Sequence, residues 1–155
     1  MSSVDVGTQA PDFTLVDQDR TPVTLSASRG RPVVLAFFPG AFSSTCTAEL
    51  CTFNNSMSRL NAANAQVYGI SVDTFFALKA FQQAEHLNFP LLSDFNKTTI
   101  RAYGVVNPDM IGLHDIAKRA VFVLDREGVV RYREVLDDAR NEPDYSRILA
   151  VAGGL

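Results

Sequence analysis

At 155 residues the chain is long enough for one domain with a full hydrophobic core, so a single unit over 1–155 is expected. Hydrophobic residues make up 46% and charged residues 20%, and a formal net charge of −3 supplies no long-range attraction for nucleic acid or anionic lipid. The start "MSSVDVGTQAPDF" has neither a basic segment nor an apolar run, and no stretch approaches the roughly 20 apolar residues of a membrane span; a cytoplasmic protein with no membrane partner is expected.

"DFTLVD" (12–17) and "PVTLSA" (22–27) alternate apolar and polar residues, which predicts two short strands joined as an N-terminal hairpin. "PVVLAFF" (32–38) is a continuous apolar run bounded by Gly30 and Pro39, the pattern of a strand buried on both faces. From about Thr45 the period changes. Leu50, Phe53, Met57 and Leu60 form a helical stripe, predicting one helix to Leu60. "QVYGISVD" (66–73) reads as a buried strand and "TFFALKAFQQAEH" (74–86) as the helix after it. "FPLLSD" (89–94) is a short strand, and "NKTTIRAYG" (96–104) a helix that Gly104 caps. "AVFVLD-REG-VVRYREV" (120–135) has the form of a hairpin, and "DYSRILAVA" (144–152) closes the chain as a helix. Strands alternating with helices predict an α/β fold whose mixed central sheet is covered on both faces, with the late hairpin as an antiparallel edge. Reactive groups in such sheets gather beyond the carboxyl ends of the strands. Residues 39–46 lie at such an end.

Both thiols of the chain, Cys46 and Cys51, fall just past that strand end. Reducing compartments keep thiols free, so the pair suggests chemistry or inert burial more than a structural bridge. Cys46 belongs to the first helical turn, where unpaired N–H groups and the helix dipole favour an anion. Its sulfur shares the arc of Leu50 and Phe53 and points into the body of the protein, whereas Cys51 projects about 140° away. A helix start supplies at most about 2 kcal/mol, less than the roughly 3 kcal/mol needed to bring an ordinary thiol to an acidity near 6, so a cation from elsewhere in the chain is required. Residues five apart in a regular helix have Cα atoms about 8.6 Å apart. A disulfide needs about 7 Å or less, so pairing of the two thiols requires the first turn to unwind. A zinc site is disfavoured because His86 and His114 do not complete a ligand pattern, and no cofactor motif occurs. The bland alternative for both cysteines is burial as small hydrophobes.

The segment from Pro39 to Cys46 reads Pro-x-x-x-(Thr/Ser)-x-x-Cys, which resembles the peroxidatic motif of the peroxiredoxins. "APDFTL", "CTAEL", "ISVD", "FPLLSD" and "RAVFVLD" match other pieces of that family in order, over roughly residues 4 to 150. The similarity is to the bacterioferritin-comigratory/PrxQ and AhpE-like branches. The resemblance implies a thioredoxin-like fold and a thiol peroxidase acting on hydrogen peroxide or organic hydroperoxides, reduced by a thioredoxin-like or other thiol donor. It implies that Cys46 is the nucleophile and becomes a sulfenic acid. Pro39 would then roof the pocket, the Ser43 hydroxyl would hold the substrate oxygen and the thiolate, and backbone N–H groups of Thr45 and Cys46 would stabilise developing charge. Arg119 matches the family's distant arginine, and Glu49 an acidic position that orients it. Cys51 matches the resolving cysteine of the PrxQ-like branch, which forms an intramolecular disulfide. AhpE-like members lack it, so a one-cysteine enzyme reduced directly by an external thiol stays open. So do a non-enzymatic redox sensor and, for the assembly, a monomer or a homodimer. Read without the resemblance, Pro39 could simply end a strand and Ser43 only cap a helix.

Overall fold

The computed structural model describes residues 4–155; residues 1–3, where the expected single unit begins, lie outside the described residues. In chain order the elements are β1 (Thr14–Asp17), β2 (Pro22–Thr24), β3 (Val33–Phe37), α1 (Ser44–Asn55), α2 (Met57–Ala62), β4 (Gln66–Ser71), α3 (Phe75–Glu85) and β5 (Leu91–Ser93). They continue with α4 (Thr98–Ala102), β6 (Val106–Asn107), β7 (Ile116–Ala117), β8 (Arg119–Leu124), β9 (Val130–Leu136) and α5 (Tyr145–Gly153). Seven strands form one sheet in the order β2-β1-β5-β4-β3-β8-β9, a mixed thioredoxin-like sheet with the expected antiparallel pairs at both edges. Strands β5, β4 and β3 run parallel to one another, and β8 runs antiparallel to β3.

Two apolar clusters cover the sheet, one on each face, as the fully buried β3 requires. Alternation along β3 sends Val34, Ala36 and Phe38 into the cluster shared with α1, α3 and α5. Val33, Leu35 and Phe37 face the other cluster, with Tyr103 and Phe122. On β8 the same alternation puts Val121 and Val123 on the α1 side. Arg119 has that parity too.

Three local expectations are corrected. The helix expected from Thr45 to Leu60 breaks at Ser56, where the backbone leaves the helical region at φ −95° and ψ 4° and the hydroxyl joins its own N–H on the carbonyl of Thr52. Met57 therefore opens α2 and is only half-buried, although Leu50, Phe53 and Leu60 are buried as the stripe predicts. The second strand stops at Thr24 because the carboxylate of Asp12 captures the N–H of Ser26, and residues 25–28 wind into a 3-10 turn. The β6–β7 ribbon gave no sequence signal; two residues per strand are too few for a period. Gly104 does follow α4 in the left-handed region, at φ 68°, the conformation a helix-ending glycine supplies. No helix among the described residues is long and apolar enough to cross a membrane.

The centre of the sheet leaves no room for added atoms. A Cβ at Gly69 on β4 would lie 2.7 Å from Leu91 Cδ2 and 3.3 Å from Phe38 Cε1, both in the core. Gly69→Ala should therefore lower unfolding free energy by about 1–3 kcal/mol, read as a lower urea midpoint at unchanged slope.

Candidate active site

Three strand ends meet at one edge of the sheet. Phe37 at the end of β3 pairs with Ala120 of β8, so Arg119 emerges beside the loop that starts at Pro39. Arg119 in turn pairs with Leu136 at the end of β9, which brings residues 137–140 to the same place. Ile70, near the end of β4, lies across from Phe37 and delivers Asp73 just beyond. Among the sequence candidates, Pro39, Ser43 and Arg119 line one depression of about 730 Å³ at this edge, together with Met110, Ile111 and Arg140.

The loop between β3 and α1 is held from below. The N–H of Ala41 donates to Asp73 Oδ2 at 2.8 Å, the Ser71 hydroxyl donates to the same oxygen at 2.7 Å, and the Ser93 hydroxyl donates to the carbonyl of Asp73 at 2.7 Å. Phe42 occupies the left-handed region at φ 69°, an unfavourable conformation for a bulky residue, and its ring rests on Phe81 at 5.0 Å between centroids. Pro39 is buried and, lacking an N–H, cannot extend the β3 ladder.

Ser43 is the N-cap of α1 by backbone conformation, and its carbonyl accepts the N–H of Thr47 at 2.9 Å. Its side chain makes no capping hydrogen bond. The hydroxyl is thus not committed to the role that a capping serine alone would give it. The N–H groups of Ser44, Thr45 and Cys46 precede the first intrahelical bond of α1 and are the free donors of a helix start.

Cys46 is fully buried in this first turn, as expected, and its sulfur accepts from Arg119 Nη2 at 3.3 Å. Arg119 is 1% exposed, and each of its three guanidinium nitrogens has a partner. Nη1 donates to Glu49 Oε1 at 2.7 Å, while Nε and Nη2 donate to the carbonyl of Ala139 at 3.1 and 2.8 Å. Burial works against its charge, but Glu49 and the Cys46 sulfur outweigh that and hold its pKa above the ordinary value. The cation that meets the Cys46 sulfur is Arg119, 73 residues away in sequence.

Glu49, one turn after Cys46, is also fully buried, and its Oε2 has no hydrogen-bond partner. Burial raises its pKa to about 7 despite Arg119, and the more distant carboxylates of Glu142 and Glu134 add to the rise. Cys51 is half-buried on another side of α1, with both thiols free. Its sulfur donates to Glu85 Oε1 at 3.5 Å at the end of α3, and burial together with that carboxylate raises its pKa.

Of the sequence candidates, the structure joins Cys46 and Glu49 to Arg119, sets Pro39 and Ser43 beside Arg119 along one depression, and keeps Cys51 apart. Sequence reasoning missed Asp73 and Ala139. Asp73 stood in the quoted "ISVD" but had no local reason to touch residue 41, and a backbone carbonyl such as that of Ala139 carries no residue-type signal at all. No group of three or more His, Cys, Asp or Glu able to hold a metal ion occurs among the described residues.

The profile of the AhpC/TSA family matches residues 6–133. A Synechocystis sp. relative whose name places it among the peroxiredoxins is 38% identical over 93% of this chain and 76% of its own. Peroxiredoxin Q, chloroplastic, of Triticum aestivum is 40% identical over 83% of this chain, which spans 58% of that protein's length. The crystal structure of peroxidoxin BcpB from Mycobacterium tuberculosis superposes with a TM-score of 0.88 at 29% identity, covering 98% of each chain. A Xanthomonas campestris bacterioferritin comigratory protein, in a structure concerned with its alkyl peroxide reduction activity, does so with a TM-score of 0.84 at 26% identity, covering 97% of this chain and 98% of that one.

The buried acid has a measurable consequence. The folded state holds the Glu49 proton more tightly than the unfolded chain, so this stabilisation is complete below about pH 4.5 and is lost as the pH rises through about 7. Relative to Glu49→Gln, the wild type should lose about 3 kcal/mol of unfolding free energy across that window. Urea midpoints of both proteins against pH would show a constant difference if the carboxyl were instead ionised throughout.

Proposed function

The chain belongs to the AhpC/TSA family, the peroxiredoxins, and from that premise we propose that it is a thiol peroxidase whose nucleophile is Cys46. The observation that carries this reading is the 3.3 Å contact between Arg119 Nη2 and a fully buried sulfur in the first turn of a helix. A guanidinium only donates, so the sulfur accepts, and the ionised form gains most from a charge-assisted bond out of water. The thiolate attacks the terminal oxygen of a hydroperoxide, the O–O bond breaks, and Cys46 becomes a sulfenic acid. The departing oxide takes a proton and leaves as water or an alcohol. The hydroxyl of Ser43 and the N–H groups of Thr45 and Cys46 surround the place where negative charge builds up. Arg119 spans both ends of that charge shift. Glu49 and the carbonyl of Ala139 keep it from swinging away.

The first turn of α1 then opens, and Cys51 displaces hydroxide from the Cys46 sulfenic sulfur to give an internal disulfide. A thioredoxin-like dithiol reduces it. Both cysteines lie within the one helix α1, which supports an opening step because an intact helix keeps their Cα atoms beyond bonding reach. A cytoplasmic setting, and a single catalytic unit working as monomer or homodimer, complete the reading.

Intact mass after one equivalent of hydrogen peroxide tests the assignment. The wild type should lose two hydrogens and Cys51→Ser should gain one oxygen; a wild type that also gains oxygen would make it a one-cysteine enzyme. Steady-state peroxide consumption with dithiothreitol as donor should run for many turnovers per chain and disappear in Cys46→Ser. Arg119→Met should cut the rate constant with peroxide by about 10²–10³-fold, as loss of a donor to developing charge does. Stopping after one turnover in the presence of donor would instead mark a redox sensor.

A further inference from the structure

The second thiol is not simply waiting. Along α1, three contacts fasten the helix to the end of α3. The Cys51 sulfur donates to Glu85 Oε1 at 3.5 Å, Asn54 Nδ2 donates to the carbonyl of His86 at 3.1 Å, and the N–H of Asn88 donates to Asn54 Oδ1 at 2.7 Å. Among the described residues no hydrogen bond fastens the first turn to α3. All three contacts lie on the part of α1 that bears Cys51.

We propose that Glu85 is a brake on resolution: its carboxylate holds Cys51 as a protonated thiol against α3, on a side of α1 turned away from Cys46, and so sets the lifetime of the sulfenic acid. This rests on the reading that Cys46 is oxidised and Cys51 resolves it. The step to be restrained is Cys46–SOH + Cys51–SH → Cys46–S–S–Cys51 + H₂O. In it the S–S bond forms, the S–O bond breaks, and the proton lost by Cys51 balances the hydroxide that leaves as water. Attack requires the Cys51 thiolate. A thiolate placed against the Glu85 carboxylate loses the S–H hydrogen bond and meets a like charge. Burial, that hydrogen bond and that charge all raise the pKa of Cys51.

Glu85 is the charged group acting on this sulfur. Glu49, on the same helix, is turned to Arg119, and His86 meets α1 through its carbonyl oxygen. Glu85 is itself half-buried and lies outside the pocket that receives peroxide. Its replacement should leave sulfenic acid formation untouched.

Glu85→Gln keeps the shape and an acceptor oxygen but removes the charge. Nucleophilicity falls only about 0.4–0.5 log unit for each pKa unit lost, so a lower pKa speeds attack below the titration midpoint and slows the plateau above it. In a single turnover with one equivalent of hydrogen peroxide, quenched at intervals and read by intact mass, the disulfide should therefore form severalfold faster at pH 7. The pH midpoint should move down and the high-pH plateau should fall. Glu85→Asp, which retains the charge, should keep a midpoint near that of the wild type. In a Cys46→Ser background, the pH profile of Cys51 alkylation by iodoacetamide should move the same way with Glu85→Gln. An unchanged midpoint, or an acceleration equal at every pH, overturns the proposal, the latter by showing a mechanical latch. A wild type that keeps the added oxygen overturns it together with the resolving role of Cys51, while leaving the peroxidase in place. Failure of Cys51→Ser to gain oxygen overturns the peroxidase reading as well.

Discussion

One guanidinium organises this protein's reactive edge. Arg119 is buried to 1% exposure, where an uncompensated charge costs several kcal/mol, and three partners from two parts of the chain make its place tolerable. Glu49 supplies a carboxyl oxygen that accepts Nη1, Ala139 a carbonyl that accepts two N–H groups, and Cys46 a sulfur. A cation bound this way cannot rotate to follow solvent. It points one donor permanently at the sulfur, which is the preorganisation that charge-stabilising catalysis depends on.

The arrangement is not optimised for stability. Glu49 keeps one oxygen without a partner in the interior, and burial drives its pKa to about 7 even beside Arg119. Phe42 sits in a left-handed backbone conformation at the lip of the pocket, held by Phe81 and by the tie between Ala41 and Asp73. The strained backbone of Phe42 and the unsatisfied oxygen of Glu49 both lie within a few residues of Cys46, while the two apolar clusters on either face of the sheet carry the stability that permits them. The rigidity of this edge also makes the position of Cys51 consequential. With the first turn of α1 pinned by Arg119 and its later turns pinned by α3, the two sulfurs are kept apart by structure and not by distance along the chain.

The sequence by itself determined the strands and most helices, because alternation and helical stripes are printed locally in apolar positions such as Val33–Phe37 or Leu50 and Phe53. It also determined that Cys46 begins a helix just past a buried strand, since Pro39 stops the ladder and the apolar period changes within a few residues. The motif resemblance pointed to Ser43, Glu49 and Arg119, but the demand for a cation followed from helix-start energetics alone. The break at Ser56 and the β6–β7 ribbon escaped, the first because one residue's backbone leaves the helical region inside a continuous apolar stripe, the second because its strands are too short to show a period.

What only the tertiary structure decided is which distant groups meet. The pairing of Phe37 with Ala120, and of Arg119 with Leu136, is a matter of strand register, which has no local signature. That register carries Arg119 to Cys46 and Ala139 to Arg119. The parallel alignment of β3 with β4 brings Asp73 under Ala41, and the packing of α3 on α1 places Glu85 on Cys51. Local chemistry chose the reactive atom; the long-range closure of the sheet chose its surroundings.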